Sequence, residues 1–438
     1  MNKQDDKQER VIPKLRFPEF QTTLGWDTFK LNDVSTRILD KVGDKKLMPI
    51  SITAGVGIVS QEEKFGKNIS GKQYKNYLIL NKGDFVYNKG NSKKYPQGAI
   101  YYLDKWEKVA APNVFLCFRL KSDQVHGFYQ GYFDNNAHGV QLQKYITSGA
   151  RSDGLLNISA DTFFNLSFAI PDPKEQQKIA DCLSSIDELI NLREQKLTAL
   201  KQHKKGLMQQ LFPSHNDLQA SKQASKQASK QANKQIVYPK LRFPQFKDCK
   251  GWEVVELMNI GYFVKEKIEV LNLNPEDYIS TENLLSDYGG VTISNKLPTT
   301  EKVTAFQKND ILISNIRPYL KKVWVADKDG GASNDIIVIR AKSNINTSFL
   351  SSVIKNDDFI NYMMKGAKGL KMPRGDLGLI SIFPVAVPSD PKEQKAIADC
   401  LSSLDKLISE ENEQIGRLKD HKKGLMQQLF PIFRNQYE

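Results

Sequence analysis

The sequence is dominated by an internal repeat. The block over residues 171–213 returns with few changes over residues 389–431, and its last stretch, HKKGLMQQLFP, is identical in both copies. A second pair of blocks, PKLRFPEF from Pro13 and PKLRFPQF from Pro239, opens each copy and is followed by a Gly-Trp pair. The period is far longer than the roughly 20–50 residues of solenoid repeats, so the chain is predicted to form two tandem domains.

Composition narrows the class of protein. With 40% hydrophobic and 26% charged residues, the chain is ordinary globular material, and its net charge of +13 favours a partner that carries phosphates. It contains no apolar run long enough to span a bilayer, and its N-terminus lacks the pattern of a signal peptide, so we expect a cytoplasmic protein. The four cysteines have no metal-binding spacing.

Each repeated block has the signals of one long helix. Asp172-Pro173-Lys174-Glu175 and Asp390-Pro391-Lys392-Glu393 are typical helix starts, with a capping aspartate, a proline in the first turn and a glutamate that would complete a capping box. Apolar residues then recur alternately four and three positions apart until a Phe-Pro pair, because proline cannot continue the helical ladder. Each helix is predicted to be on the order of 55–60 Å long.

This spacing defines a heptad seam on each helix, and the simplest arrangement packs the two seams together as an antiparallel pair. The seam residues are Ile179, Leu183, Ile186, Ile190, Arg193, Leu197 and Leu200 in the first copy, and Ile397, Leu401, Leu404, Ile408, Glu411, Ile415 and Leu418 in the second. Both seams are interrupted by a charge at the same repeat position. Either Arg193 and Glu411 pair and fix the register, or both side chains reach solvent, and the sequence favours neither alternative.

Short polar repeats lie between the two copies. The unit Ala220-Ser221-Lys222-Gln223 recurs from Ala224 and from Ala228, and Ala232-Asn233-Lys234-Gln235 closes the series. These residues have no apolar face, so an isolated helix would be marginal. The segment is therefore either a flexible basic tether or a spacer, in which one helical unit would add roughly 6 Å. Pro213 and the following Ser-His-Asn-Asp interrupt the long helix before the repeats begin.

The bodies between the openers and the long helices, residues 27–170 and 253–387, combine short β-like runs with polar turns. A turn and strand at 83–87 match 309–313. A second strand pattern at 113–122 matches 334–343. The strands agree whereas the loops after them differ, as we expect if one fold reads two different ligands.

Two loops in each body are candidates for contact with DNA. The first follows the matched strand, and the second precedes the long helix. Asparagine and arginine can read base edges, and lysine can position phosphates. The candidate DNA-binding residues are Asn88, Lys89, Asn91, Lys93, Lys94, Arg151, Asn315, Arg317, Tyr319, Lys321, Lys322, Lys368, Lys371 and Arg374.

No group of residues favours catalysis. Asp172, Glu175 and Lys178 have a nuclease-like spacing, but the capping box accounts for them better. The sequence has no Asn-Pro-Pro-aromatic methyltransferase motif, no Gly-rich cofactor loop and no Walker A motif, and its histidines form no nucleophile or zinc pattern. We expect a chain that catalyses nothing by itself and binds no metal and no cofactor. The alternatives are a stand-alone bipartite DNA-binding protein and a protein scaffold with incidental charge.

The duplicated PKEQ-x-x-I-A-x-C-L-S-S-[IL]-D helix and the PKLRFP…GW openers resemble the specificity subunits of type I restriction–modification systems over nearly the whole chain. The resemblance implies an α+β fold, in which two tandem mixed α/β target-recognition domains are separated by two long helices that form an antiparallel coiled coil. It divides the chain into a first target-recognition domain (1–170), a first coiled-coil helix (171–213), a repeat linker (214–238), a second target-recognition domain (239–387), and a second coiled-coil helix with tail (388–438).

The same resemblance implies a function and a set of partners. The chain would recognise an asymmetric bipartite site on double-stranded DNA and direct methyltransferase (M) subunits, two of them, to it. Restriction (R) subunits, with endonuclease activity, would join through the M complex. S-adenosylmethionine, ATP and Mg would belong to those partners. The family's short linker repeats favour the spacer alternative for the Ala-Ser-Lys-Gln units.

Overall fold

The computed structural model describes residues 10–53, 55–90, 95–146, 156–227, 235–367, 369 and 372–431, and for residues 224–227 it describes the backbone alone. The chain divides into two compact units. Unit 1 comprises Met1–Glu194 and Glu413–Glu438, and unit 2 comprises Gln195–Asn412. Both borders fall inside long helices, so each unit combines one body with parts of both long helices.

Unit 1 contains both helices and short strands. Its strands are β1 (Asp27–Lys30), β2 (Ser35–Arg37), β3 (Ile50–Thr53), β4 (Gly57–Ser60), β5 (Leu78–Asn81), β6 (Phe85–Asn88), β7 (Ala99–Tyr102), β8 (Lys108–Ala111), β9 (Leu116–Leu120) and β10 (Ser167–Ile170). Its helices are α1 (Leu31–Val34), α2 (Gln61–Phe65), α3 (His126–Asp134), α4 (Ala137–Leu142), α5 (Ala160–Phe164), the first part of α6 (Pro173–Leu211) and the last part of α12 (Pro391–Leu429).

Unit 2 repeats this plan with its own additions. Its helices are the rest of α6, α7 (His215–Gln227), α8 (Leu257–Ile260), α9 (Thr347–Ile354), α10 (Asp357–Lys365), α11 (Leu377–Ser381) and the first part of α12 (Pro391–Leu429). Its strands are β11 (Ile236–Val237), β12 (Trp252–Glu256), β13 (Gly261–Phe263), β14 (Lys267–Glu269), β15 (Tyr278–Ile279), β16 (Lys302–Phe306), β17 (Ile311–Ser314), β18 (Val323–Val325), β19 (Gly330–Ala332), β20 (Ile336–Ala341) and β21 (Pro384–Val387).

The matched strands form the same sheet in both units. The order β2-β9-β6-β7 in unit 1 corresponds to β13-β20-β17-β18 in unit 2, and all these pairings are antiparallel. In each sheet an arginine of the second matched strand forms a bidentate pair with the aspartate of the turn, Arg119 with Asp84 and Arg340 with Asp310. The predicted strand correspondence is therefore confirmed.

The openers pack closely against their own unit. Trp26 and Trp252 are almost fully buried. A Cβ atom on the preceding Gly25 would lie 3.0 Å from the Cβ of Arg10, and one on Gly251 would lie 2.5 Å from a methyl of Ile236. Only glycine allows the two chain segments to approach this closely, which explains why each opener carries a Gly-Trp pair.

The long helices are antiparallel within each unit. In unit 1, Asp187 and Glu194 of α6 pair with Lys422 and Lys419 of α12 at 2.6 and 2.7 Å. In unit 2, Lys196 pairs with Glu411 at 2.8 Å and Lys204 with Asp405 at 2.5 Å. Residue numbers fall along α12 as they rise along α6, which confirms the predicted orientation. Each helix has 39 residues and is therefore about 58 Å long.

The seam residues are buried to differing degrees. Those buried are Ile179, Leu183, Ile190, Ile397, Leu401, Glu411 and Ile415, and those half-buried are Ile186, Arg193, Leu197, Leu200, Leu404, Ile408 and Leu418. Glu411 is 4% exposed and pairs with Lys196 of the same unit. Arg193 belongs to unit 1 and Glu411 to unit 2, so the pairing of these two charges stays a prediction.

The helix starts differ from the prediction in one respect. The carboxylates of Asp172 and Asp390 accept the backbone N–H of Lys174 and Lys392 at 2.8 Å, as capping residues do. The capping-box role predicted for Glu175 and Glu393 is wrong, because both carboxylates accept hydrogen bonds from an arginine of the opener instead.

The first repeats of the linker are helical. Helix α6 ends at Leu211, and α7 begins anew at His215 with Ser214 and Asp217 bonded to each other across its first turn. The predicted interruption is therefore present, and α7 runs through Gln227. Residues 228–234, the rest of the repeats except Gln235, lie outside the described residues.

Candidate nucleic-acid interface

In each unit the first candidate loop contacts the segment that joins the second candidate loop to the long helix. In unit 2 the first loop forms a bridge from Ile316 to Arg374, and the N–H of Arg317 donates to the carbonyl of Pro373 at 2.8 Å. In unit 1 the carbonyl of Lys89 accepts the N–H of Leu156 at 2.9 Å. Both first loops are thus tied to the segment that precedes the long helix.

The first loop of unit 1 starts with two half-buried polar residues. The side chain of Asn88 accepts the N–H of Gly90 at 2.9 Å, and the ammonium of Lys89 donates to the carbonyl of Ile158 at 3.4 Å. The other candidates of this unit, Asn91, Lys93, Lys94 and Arg151, lie outside the described residues.

The first loop of unit 2 contains a strained turn. Arg317 and Lys321 have φ angles of +52°, in the left-handed region that non-glycine residues rarely adopt, and they flank a short 3-10 turn over Pro318–Leu320. Such strain persists only when surrounding contacts hold it, and it is frequent at functional sites. The turn leaves the Arg317 side chain exposed and Tyr319 51% exposed.

Three predicted DNA-binding cations of unit 2 are engaged within the protein. Lys321 pairs with Asp357 at 2.6 Å, the ammonium of Lys322 donates to the carbonyl of Thr281 at 2.6 Å, and Arg374 pairs with Asp335 at 2.8 Å. The sequence could not distinguish these cations from Arg317, since all lie in the same basic segments.

Asn315 holds the start of this loop. Its backbone N–H donates to the carbonyl of Asp335 at 2.8 Å, and its carbonyl accepts the N–H of Gly375 at 3.2 Å. Its side-chain oxygen is buried and has no hydrogen-bond donor among the described residues. Lys368 and Lys371 lie outside the described residues.

The two units also differ beside these loops. In unit 2 the first residue of α10, Asp357, accepts hydrogen bonds from Lys321 and is also 3.3 Å from the ammonium of Lys205. Partial burial would raise the pKa of Asp357, but the hydrogen bonds and positive charges of both lysines outweigh it, so the pKa is lowered. An ionic cluster therefore anchors the strained turn of unit 2.

Unit 1 has a cavity instead of that cluster. The cavity has a volume of about 430 Å³ and is lined by residues 95–101, the end of α3, the start of α4 and Lys422. The second residue of α4 is His138, which is 2% exposed. Neither of its ring nitrogens has a hydrogen-bond partner of normal geometry among the described residues. Burial lowers the pKa of His138 to about 4, against a smaller opposing effect of the Gly98 carbonyl, so the ring is neutral at pH 7.

Sequence reasoning missed the network that holds the openers and long helices together. Arg16 pairs bidentately with Glu175 at 2.7 Å, with side chains 7% and 1% exposed. Arg242 pairs in the same way with Glu393 at 2.7 Å. We call these two pairs the opener locks. The identity of the PKLRFP and PKEQ motifs in the two copies was the signal that could have revealed them.

The glutamine that follows the glutamate in each PKEQ motif connects the long helix to the body. The side chain of Gln176 accepts the N–H of Val125, just before α3, at 3.1 Å. The side chain of Gln394 accepts the N–H of Asn346, just before α9, at 3.0 Å. The repeated motif thus fixes the body on its helix, and the nuclease-like trio is structural, because Lys178 also pairs with Glu19 at 3.0 Å.

The identical helix ends are largely packing elements. Met426, Leu429 and Phe430 complete the core of unit 1. Met208, Leu211 and Phe212 complete that of unit 2. The exposed side of each end lies beside an opener, because the N–H of Leu15 donates to the carbonyl of Gln428, and that of Leu241 to the carbonyl of Gln210.

Among the residues that the structure describes, no group of three or more His, Cys, Asp or Glu side chains is arranged to hold a metal ion. None of the described helices has the length and apolar character needed to cross a membrane.

Comparison with known proteins identifies the class to which these two loop-bearing units belong. The sequence model of the type I restriction modification DNA specificity domain matches residues 24–202 and again residues 249–419. Each match covers one body and most of one long helix. The chain belongs to this family, and its function is DNA sequence specificity in a type I restriction–modification system.

Individual relatives agree with this assignment. A putative type I restriction enzyme specificity subunit (MjaX) of Methanocaldococcus jannaschii is 25% identical over 367 residues, which cover 79% of this chain and 77% of the relative. The EcoDI specificity subunit of Escherichia coli is 22% identical over 304 residues, 66% of each chain.

Solved structures share the fold. The S subunit of a type I restriction–modification system from M. genitalium superposes with a TM-score of 0.55 at 16% identity, covering 97% of this chain and 100% of that one. A chain from a structural study of complex assembly and conformational transition in a type I system gives a TM-score of 0.50 at 13% identity, covering 92% and 96%.

Proposed function

We propose that unit 1 and unit 2 each read one half of an asymmetric bipartite DNA site. The observation that carries this proposal is that in both units the first loop follows a strand of the same sheet and is hydrogen-bonded to the segment before the long helix, whereas its residues differ between the units. One fold with two unlike loop pairs is suited to two unlike half-sites.

Within unit 2, Arg317 and Tyr319 are the leading candidates for contact with DNA. Both are exposed on a strained turn, and an arginine can contact a guanine edge or a phosphate. Lys321, Lys322 and Arg374 would act mainly as positioning residues, because each already has a partner in the protein.

In unit 1 the corresponding role falls to the first loop from Asn88 onward. Its candidates are Asn88, Lys89, Asn91, Lys93 and Lys94, and Arg151 of the second loop is a further candidate. The hydrogen bond from the N–H of Leu156 to the carbonyl of Lys89 supports a shared surface, because Leu156 follows the second loop in the chain.

We place the target-recognition domains at residues 1–170 and 239–387, the coiled-coil helices at 171–213 and 388–438, and the linker at 214–238. The bounds of α6 and α12, and the start of β12 after the second opener, support these limits.

The partners are two copies of one methyltransferase subunit, with restriction subunits joined through them. The exposed residues where each opener meets a helix end support twin docking sites, because they are identical in the two units although packing does not require it. They are Lys14, Leu15, His421 and Gln428 in unit 1, and Lys240, Leu241, His203 and Gln210 in unit 2. The chemistry would belong to the partners, which would bind S-adenosylmethionine, ATP and Mg, and this chain would be non-catalytic.

Co-expression with a candidate methyltransferase tests the proposal. We expect a stable complex that methylates adenines within one bipartite motif, mapped by sequencing the modified DNA. Binding of the complex should weaken steeply as salt rises, because phosphate contacts release counterions. Sequence-specific binding by the chain alone, with no complex formed, would favour the stand-alone DNA-binding alternative. Binding that is unaffected by salt and by sequence would favour the scaffold alternative.

A further inference from the structure

A second strained segment contacts the strained turn of unit 2. Its residues Asp287 and Tyr288 have φ angles of +53° and +60°, in the same left-handed region. The backbone N–H of Asp287 donates to the carbonyl of Leu320 at 3.0 Å, and that of Tyr288 donates to the carbonyl of Lys321 at 3.0 Å. Most of the non-glycine residues with a positive φ angle in the described part of the chain lie in these two segments. Backbone strain is therefore concentrated at this one contact.

The second segment is a hairpin, residues 284–291, which we call the clasp. A bridge joins Leu284 to Val291 at its base. Leu284 is 1% exposed and belongs to the core that contains Trp324, and Tyr288 packs against another hydrophobic core of the unit. A left-handed conformation is costly for a bulky aromatic residue, and these contacts hold it. The clasp thus fixes the strained turn on the body of unit 2.

Holding the turn does not require the side chain of Asp287. Its backbone N–H makes the contact with the turn, and its side chain is exposed, whereas the carboxylate of Asp357 pairs with Lys321. Glycine would adopt this backbone conformation with less strain. In a chain with a net charge of +13, a carboxylate beside the turn also repels phosphates. It therefore lowers the affinity for DNA in general.

A carboxylate in this place suits one kind of base edge. When ionised, it only accepts hydrogen bonds. In the major groove, cytosine and adenine present an amino group that donates, whereas guanine and thymine present oxygen acceptors that a carboxylate repels. We propose that Asp287 is a further specificity-determining residue of unit 2, which accepts a hydrogen bond from the amino group of a cytosine or an adenine at one position of the half-site. This inference rests on the proposed function, because it presupposes that unit 2 reads a half-site.

Asp287→Gly tests the inference in the full chain, expressed with its methyltransferase partner, because it removes the carboxylate and relieves the strain. Asn309→Gly is the control for strain, since Asn309 is exposed and has a φ angle of +76°. Asp327→Asn is the control for charge, since Asp327 is also exposed. Both controls lie at the end of β17 and β18 opposite to the strained turn, where the N–H of Asn309 donates to the carbonyl of Ala326 at 2.7 Å.

The measurement is the dissociation constant of the complex for a set of DNA duplexes. The wild-type motif is first mapped by sequencing modified DNA, and each position of the half-site of unit 2 then carries each base in turn. We expect Asp287→Gly to reduce discrimination at one position by at least about fivefold, because duplexes with guanine or thymine there are no longer repelled. The midpoint of chemical denaturation should not fall, because glycine favours the left-handed backbone.

Neither control should alter discrimination between bases. Asn309→Gly should preserve the denaturation midpoint as Asp287→Gly does, and Asp327→Asn should change the affinity for all duplexes alike. Unchanged discrimination in Asp287→Gly would overturn the inference. Equal weakening for all duplexes would also overturn it, because Asp287 would then only hold the turn. If the wild-type complex has no base preference in this half-site, it is the proposed function that fails.

Discussion

The two units keep the same side-chain pairs in their framework and differ at their exposed loops. Both have an opener lock, an Asp-Arg pair between matched strands, and a glutamine that joins the long helix to the body. Beside the candidate DNA loops, unit 2 has the Lys321–Asp357 ion pair, whereas unit 1 has a cavity and the buried His138. The framework is duplicated, and the surface that it presents is not.

This difference has a physical reason. A buried bidentate arginine–carboxylate pair cannot lose one partner without leaving an uncompensated charge, so a duplicated framework keeps both residues. Residues at exposed loops can change at little cost in stability. Substitutions in the framework and substitutions in the exposed loops can each test whether these two parts have different roles.

The largest expected effect is a loss of folding stability when the opener locks of the framework are broken. Arg16→Ala and Arg242→Ala should each lower the free energy of unfolding of their unit by about 3–5 kcal/mol, because each leaves a buried glutamate unpaired. Chemical denaturation with a probe in each unit measures this loss. Arg10→Ala is the control, because the pair of Arg10 with Asp27 is exposed and should contribute at most about 1 kcal/mol. A loss below 1 kcal/mol for both locks would show that they are not the shared framework.

The buried histidine gives unit 1 a pH dependence of its own. The pKa of His138 is about 4 in the folded unit and about 6.5 when unfolded, so the unfolded chain binds more protons between these values. The contribution of the neutral His138 ring to the free energy of unfolding is therefore fully present above pH 6.5 and is lost as the pH falls towards 4. Relative to His138→Leu, wild-type unit 1 should lose about 3 kcal/mol over this window. Denaturation curves at several pH values measure the difference, and parallel curves for the two proteins would contradict the account.

A smaller effect is expected on the reading surface of unit 2. Arg317→Ala should weaken binding of the selected DNA by about 1–3 kcal/mol if Arg317 reads a base, and should leave unfolding unchanged, because its side chain is exposed. Lys321→Ala should weaken both binding and folding, since it also breaks the pair with Asp357.

Lys302→Ala is the matched control for that experiment. Lys302 is an exposed cation of the same unit, on β16 and outside the candidate loops. It should leave DNA affinity nearly unchanged. Equal losses for Arg317→Ala and Lys302→Ala would mean that general charge, and not the strained turn, accounts for binding.

The sequence predicted much of the framework because its signals are local. Heptad spacing, capping aspartates and terminal Phe-Pro pairs act within a few residues, so α6, α12 and their ends could be predicted. The partner of Glu175 could not, because Arg16 lies 159 positions away and a capping box is the nearest local explanation. The basic loops were predicted as a group. Which cations are free depends on Asp335 and Asp357, distant residues whose proximity is created by folding.

The central claim is that unlike bodies on a duplicated framework read unlike half-sites. Its most direct test replaces residues 27–170 with the body of another member of the family, keeps both opener locks, and maps the methylated motif of the resulting complex. We expect one half-site to change while the other half-site stays as in wild type. A motif that changes in both halves, or in neither, would contradict it.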